Sequence, residues 1–210
     1  MKPSSIICIF IVFIITTAGC NVSVNKSIRI KDGETVRRSL NTVNGKIIIG
    51  NECDVRGNCR SVNGRIEIGR NSRIQSLESV NGRIEIGSHV TVQGSIRSVN
   101  GNITCQAPVE IEGSITAVNG SVELNRGSVE GDITTHNGDI SLLDHSRVRE
   151  SIIIKHSNGL SDRRLKITIA DDSLVEGDII VEDDDIEVTV YLQRGGRVEG
   201  EIENAKVVEE

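Results

Sequence analysis

Aromatic side chains are nearly absent: the 210 residues hold one Tyr, two Phe and no Trp. Both phenylalanines, Phe10 and Phe13, fall in the leading apolar stretch, so the rest of the chain has Tyr191 alone. This excludes a core packed around rings and removes the platforms on which single-stranded nucleic acids stack. A basic stripe is also missing. Lys and Arg number 24 against 30 Asp and Glu, a formal charge of -6, and the cations are scattered among the acids. The electrostatic footprint of a nucleic-acid binder is therefore lacking, and no nucleic-acid partner is expected. Zinc-type Cys and His spacing, the Gly-rich nonapeptide of calcium-binding β-rolls and a nucleophile elbow are absent too.

What remains is a chain long enough for one domain or one repeat array, with a core left to Val, Ile and Leu and with 21 glycines. β-Branched residues punctuated by glycine favour short strands joined by tight turns, so the expected class is all-β.

The N-terminus reads as an address. Lys2 is followed by an unbroken apolar run from Ile6 to Ile15, too short to span a bilayer comfortably, and then by Thr17-Ala18-Gly19-Cys20. These residues resemble the lipobox of bacterial lipoproteins, although Thr17 stands where that family usually has an aliphatic residue. The resemblance implies a signal peptide over 1–19, cleavage before Cys20, and lipidation of Cys20 with acyl chains such as palmitate. It implies a lipid anchor on the cell membrane. Asn21 is not the Asp that commonly retains such proteins in the inner membrane, so a Gram-negative source would imply the outer membrane.

A tripeptide then recurs about every nineteen residues. It stands at Val43-Asn44-Gly45, Val62-Asn63-Gly64, Val80-Asn81-Gly82, Val99-Asn100-Gly101 and Val118-Asn119-Gly120, and degenerates to His136-Asn137-Gly138 and Ser157-Asn158-Gly159. Two and four residues after each Gly come Ile47/Ile49, Ile66/Ile68, Ile84/Ile86, Ile103/Cys105, Val122/Leu124 and Ile140/Leu142, one apolar face of a strand. A second element, Val-x-Gly-x-Ile, starts at Val92, Val129, Val175 and Val198, with Ile111 opening its counterpart. Each coil thus carries two or three short strands. Side chains recurring at constant spacing predict a single-stranded β-solenoid, in which each residue lies about 4.8 Å from its counterpart on the next coil. The turn Asn is expected to pass hydrogen bonds along a ladder, and the turn Gly to accept a positive φ. An antiparallel meander also uses Asn-Gly turns, but it does not require identity to recur along the chain. The preferred form is a right-handed parallel β-helix with coils of about 18–19 residues. A left-handed helix is the alternative, disfavoured because the strands keep no clean step of six.

Residues 20–40 read as lipidated Cys, tether and first coil, and 41–210 as the β-helix, irregular after 159. Leu160-Ser161-Asp162-Arg163-Arg164 and Glu182-Asp183-Asp184-Asp185 read as loops pushed out of the coil, with strands at Leu165–Ile169 and Ile186–Val190 between and after them. Glu203-Asn204-Ala205-Lys206 and Glu209-Glu210 suit a polar end cover. The Val-x-Gly-x-Ile coils and Gly195-Gly196-Arg197-Val198-Glu199-Gly200-Glu201-Ile202 resemble bactofilin-type β-helix repeats, and the Val-Asn-Gly strands resemble bacterial putative-adhesin repeats. The first resemblance implies a scaffold that assembles end to end, though an exported, lipidated chain departs from that family's mostly cytoplasmic setting.

Candidate sites are few. Alignment on the tripeptide puts Cys53 level with Val90 and Val109, Cys59 with Leu77, Ile96 and Ile115, and Cys105 with Ile86 and Leu124. Cys53 and Cys59 flank Gly57 and could close a disulfide across one coil, or pack as free thiols; Cys105 is expected unpaired. His136 and His156 are the one conceivable metal pair, with His89 and His145 elsewhere. Glu182 to Asp185 and Asp171-Asp172 carry ligands of the kind calcium takes, but a solvated loop is the commoner meaning of such runs. Asp132 and Asp139 are a conceivable carboxylate pair for polysaccharide cleavage, without aromatic platforms or cleft-building loops beside them. Neither a catalytic residue, a metal nor a cofactor is assigned. The expected function is a non-catalytic, lipid-anchored structural or interaction protein of the cell envelope: a rigid rod about 40 Å long. Its partners would be the membrane through Cys20 and an envelope protein or polysaccharide, with Arg65, Glu67, Arg83 and Glu85 on one polar face as opposed charges stacked between coils. The alternatives are a self-assembling bactofilin-like scaffold and, less favoured, a polysaccharide-active enzyme.

Overall fold

The computed structural model describes residues 22–156, 163–183 and 185–210. Within them the regular structure is entirely β, wound into a parallel solenoid of about nine turns. The signal-peptide residues, Cys20, Ser157-Asn158-Gly159, Leu160-Ser161-Asp162 and Asp184 lie outside the described residues.

Each coil has three short strands, which makes three faces. The first face takes the strand after each Asn-Gly and forms a 10-stranded parallel sheet from Ile28–Ile30 to Lys206–Glu209. The other two faces make up a 17-stranded sheet, because Asp54–Ser61 and Arg73–Ser79 each run through the second corner as one strand.

Register explains the repeated sequence. On the first face Ile47, Ile66, Ile84, Ile103, Val122 and Ile140 lie one above another, followed by Ile167 and Val190. On the third, Leu40, Cys59, Leu77, Ile96, Ile115, Ile133, Ile152 and Ile179 do the same. The second face contributes Val55, Ile74, Val92, Ile111, Val129, Val148 and Val175. These columns fill the interior, and almost every member is sealed from solvent. Each buried Ile or Val contributes about 2 kcal/mol of apolar transfer, so the three columns supply the core that rings would otherwise provide.

The turn geometry corrects one expectation. None of the Val-Asn-Gly glycines has a positive φ. They are needed because coils approach there backbone to backbone: a Cβ on Gly64 would collide with the carbonyl of Gly45, on Gly82 with that of Gly64, and on Gly101 with that of Gly82. Most of the left-handed backbone, Asn25 and Asn204 at the Asn corner with φ of 56° being exceptions, lies at the corner between the first and second faces. There Gly33, Glu52, Asn71, His89, Arg126, His145, Asp172 and Gly195 stack with φ between 48° and 84°. Pro108 occupies the level between His89 and Arg126, where its ring bars a positive φ; the Ala107–Pro108 peptide is cis.

The step between coils is 18 or 19 residues at the Asn corner, then 27 and 23 in the later coils. Leu165–Ile169 and Ile186–Val190 are strand, as expected. Arg163 and Arg164 are not loop: they open the strand Arg163–Ala170 and pair with Ile186 and Glu187. The C-terminal residues do not fold over the end. Lys206–Glu209 is the last rung of the first face, laid on Thr189–Leu192.

Candidate functional site

The corner between the third and first faces carries the feature most visible in the sequence. Asn44 donates its Nδ2 to Oδ1 of Asn25, Asn63 to Asn44, Asn81 to Asn63, Asn100 to Asn81, Asn119 to Asn100 and Asn137 to Asn119, all at 2.7–2.8 Å. The ladder therefore starts one coil before the first Val-Asn-Gly. Asn25 was missed because Lys26 follows it in place of Gly. Each mid-ladder amide spends one N–H and one oxygen lone pair on its neighbours, and its second N–H is left to face solvent. Beside the ladder runs a shallow groove of about 590 Å³, lined by Gly45, Gly64, Gly82 and Gly101 and rimmed by Lys46, Arg65 and Arg83.

Beneath the ladder lies a column the sequence reading passed over: Thr42, Ser61, Ser79, Ser98, Ala117 and Thr135, immediately before each Val or His of the tripeptide and fully buried. Thr42 Oγ1 donates to the Lys26 carbonyl at 3.0 Å, Ser61 Oγ to that of Gly45 at 3.1 Å and Ser79 Oγ to that of Gly64 at 3.4 Å. In these three coils a small hydroxyl fits because the tight corner leaves a carbonyl facing inward that takes a donor. Among the described residues Ser98 Oγ and Thr135 Oγ1 make no such bond and Ala117 has no hydroxyl, so in the later coils the column is kept by small size.

The ladder changes chemistry where the coils lengthen. His156 follows Asn137 in the column and Asp183 follows His156. The Asp183 carboxylate is 1% exposed; its Oδ1 lies 3.1 Å from Nδ1 of His156 and its Oδ2 3.0 Å from Nη2 of Arg163. Arg163 also donates from Nη1 to the His136 carbonyl at 3.0 Å, and the amide of Asp185 donates to Asp183 at 3.2 Å. Asp183 is thus a buried, shared acceptor and not part of a solvated loop. His136 and His156 are not brought together, because Lys155 is the residue level with His136. Burial, reinforced by Lys155 and Arg163, holds the His136 imidazole below its ordinary pKa and so favours its neutral form.

The remaining candidates are dispersed. Glu182 pairs with Lys155 at 2.5 Å and Asp171 with Arg194 at 2.5 Å. His145 stands between Asp144 and Asp172, at 3.2 and 3.7 Å, while His89 lies in the same corner column three coils earlier. Asp132 accepts the Ser151 amide at 3.0 Å and Asp139 the Lys166 amide at 2.8 Å, so each holds the following coil in place. Among the described residues no three His, Cys, Asp or Glu converge so as to hold a metal ion. Arg65 and Arg83 pair with Glu67 and Glu85 of their own coil, and Glu67 stacks on Glu85. The opposed charges therefore meet sideways within a coil and not between coils, because stacking of identical repeats puts like on like.

The cysteines take the aligned core positions. Cys105 lies between Ile86 and Leu124, Cys59 between Leu40 and Leu77, and Cys53 level with Ser72 and through it Val90. All three are free and buried, so no bridge joins Cys53 to Cys59. Cys53 Sγ instead faces the carbonyl of Lys31 at 3.1 Å, at the first corner, whereas Cys59 belongs to the third face. Burial pushes the Cys59 and Cys105 thiols up to about 12 and raises Cys53 as well.

Taken together, the coil pairing, the inward columns and the corner ladders define a parallel β-solenoid protein. Comparison with protein-family models, with curated proteins and with solved structures finds no match.

Proposed function

We propose that this is a non-catalytic, lipid-anchored structural and interaction protein of the cell envelope, whose solenoid is a rigid stalk presenting polar faces to a protein or polysaccharide partner. One observation carries this reading: parallel pairing continues coil upon coil from Val22 to Glu209, with the interior given over to packing columns and most outward positions, though not Ile48, Ile153 or Ile180, to polar side chains. Such a body resists bending and repeats its outward chemistry about every 4.8 Å, which suits display and tethering. Cys20, which follows the apolar run from Ile6 to Ile15 and Thr17-Ala18-Gly19, supplies the attachment, since acyl chains hold a protein to a bilayer without a spanning helix.

The test is metabolic labelling of the full chain with an alkyne-tagged fatty acid, followed by crosslinking in cells. Label incorporated in the wild type, lost on Cys20→Ala, and one recurrent crosslinked partner are the expected results. A chain that never acquires label and crosslinks to nothing overturns the proposal.

A second reading, the self-assembling scaffold, draws on the last rung. Lys206–Glu209 ends the sheet order, and Val207 there is 40% exposed. Electron microscopy of lipid-free protein should then show filaments that lengthen with concentration; monomers at every concentration refute it.

A further inference from the structure

We infer that the first coil is a second membrane-binding element, which seats the solenoid end-on against an anionic lipid surface; this rests on the lipid-anchor reading of Cys20. The starting point is the composition of that end. Between Val22 and Leu40 stand Lys26, Arg29, Lys31, Arg37 and Arg38 against only Asp32 and Glu34, in a chain that is acidic overall. All five cations are exposed. None makes an ion pair among the described residues; in the following coils Arg56, Arg60, Arg65, Arg83 and Arg126 are paired, and Arg70, Arg73 and Arg97, which are not, are spread along the rod instead of gathered at one end. Of the two acids, Asp32 is turned toward the second coil, where it accepts the amide and side chain of Asn51 at 2.9 and 3.2 Å.

Their distribution matters as much as their number. Lys26 sits at the Asn corner, Arg29 at the centre of the first face, Lys31 just beyond that face, and Arg37 and Arg38 at the second corner, between Thr35–Val36 and Leu40–Thr42. They ring the end of the rod. Inside the ring are Ile28 and Val36, only partly buried, and close by is Val24, at 57% the more exposed of the two exposed large apolar side chains among the described residues. An apolar centre within a basic rim matches a bilayer surface, where apolar groups enter the headgroup boundary and Lys or Arg meet lipid phosphates. The opposite end has the reverse net charge: around partly buried Val198 and Ile202 stand Glu199, Glu201, Glu203, Glu209 and Glu210 against Arg194, Arg197 and Lys206.

Covalent geometry forces the contact. One residue, Asn21, separates Cys20 from Val22, and the two chain steps span about 7 Å at most. A lipidated Cys20 therefore leaves the first coil no option but the headgroup layer. Acyl chains at Cys20 fix the distance to the bilayer, and a neighbouring basic patch is a recognised additional signal that adds electrostatic attraction to anionic lipid.

The experiment is cosedimentation of residues 21–210, which contain every strand of the solenoid, with vesicles of phosphatidylcholine or of phosphatidylcholine and phosphatidylglycerol. Retention on the anionic vesicles should be roughly tenfold higher and should disappear in about 0.5 M salt. Replacing Lys26, Arg29, Lys31, Arg37 and Arg38 by Gln should abolish it, and replacing Arg65, Arg70, Arg73, Arg83 and Arg97 by Gln should not. Circular dichroism checks that each variant is folded; should the first not fold, the lipid and salt dependence of the wild type still decides. Equal retention on both vesicles overturns the inference, as does equal loss in the two variants. So does light scattering showing that the basic end binds a second copy instead, in chains dispersed by Glu199, Glu201 and Glu203→Gln. The mass of the Cys20 peptide from the full chain decides the anchor reading separately.

Discussion

Asn81 donates its side-chain amide to Oδ1 of Asn63 at 2.7 Å, and accepts the amide of Asn100 at 2.8 Å in turn. The ladder is therefore cooperative in the sense that each interior member serves two coils. Asn81→Ala removes both bonds from an exposed corner and should destabilise the solenoid by about 1–2 kcal/mol, whereas Asn25→Ala, at the ladder's first rung, removes one and should cost about half. Urea unfolding of the two variants makes the comparison; equal costs would mean that the ladder sets register without contributing stability.

Gly82 and Gly33 are both turn glycines, but they are required for different reasons. A Cβ at Gly82 meets the backbone of Gly64, which cannot move without parting two coils, while a Cβ at Gly33 meets nothing and suffers only from φ of +74°. Gly82→Ala should cost about 3 kcal/mol through forced separation of packed backbone, and Gly33→Ala about 1 kcal/mol through left-handed strain. Thermal unfolding orders the pair, and the reverse order would contradict the close-approach argument.

That contrast shows what a reader of the sequence can and cannot see. Ile47, Ile66, Ile84 and Ile103 were legible because each stacks on a copy of itself and each points into one core, so selection for fit repeats the residue. Asn44-Gly45 and its copies were legible for the same reason, although the demand on Gly is space and not φ. The first corner was opaque: it asks its occupants for a positive φ, which Glu52, Asn71, His89 and Arg126 all supply with different side chains. Asp183 was opaque because the inserted residues before it hide its alignment with the Asn column. The charges of Arg65 and Glu67 were read along the wrong axis, since period and alternation reveal which face a side chain occupies but not which neighbour it takes.

The thiols give an alkaline signature. Cys59 and Cys105 are held to about 12, against 9.0 for an unburied thiol, by burial. Above pH 9 the unfolded chain loses those protons and the folded chain keeps them, so each thiol should weaken folding by roughly 1.4 kcal/mol per pH unit until the folded value is reached. A Cys59→Val, Cys105→Val variant should show a correspondingly flatter decline of urea midpoint between pH 9 and 11. In the native protein near neutral pH both thiols should resist iodoacetamide, and all of Cys53, Cys59 and Cys105 should be alkylated without reductant once denatured; a Cys53–Cys59 bridge would leave two unlabelled.

The Asp183 cluster decides how the lengthened coils are held. Its carboxylate is out of solvent and faces Arg163 and His156 from neighbouring rungs, so the negative charge is the common partner of two cationic or donating groups. Asp183→Asn keeps the shape but removes the carboxylate charge that faces Arg163, itself 14% exposed, and breaking one side of a buried pair typically costs about 3–5 kcal/mol. About 3 kcal/mol is expected here, because the solvent-facing half of His156 softens the loss. The exposed Glu182→Gln, which removes only the surface pair with Lys155, should cost less than about 1 kcal/mol. Hydrogen exchange should localise the damage, with amides of Arg163–Ala170 and Ile186–Gln193 losing protection while Ile66–Ile68 and Ile84–Ile86 keep theirs, since stacked coils exchange stability chiefly with their neighbours. Uniform loss along the whole rod would show instead that the solenoid unfolds as one unit and that Asp183 is only one contact among many.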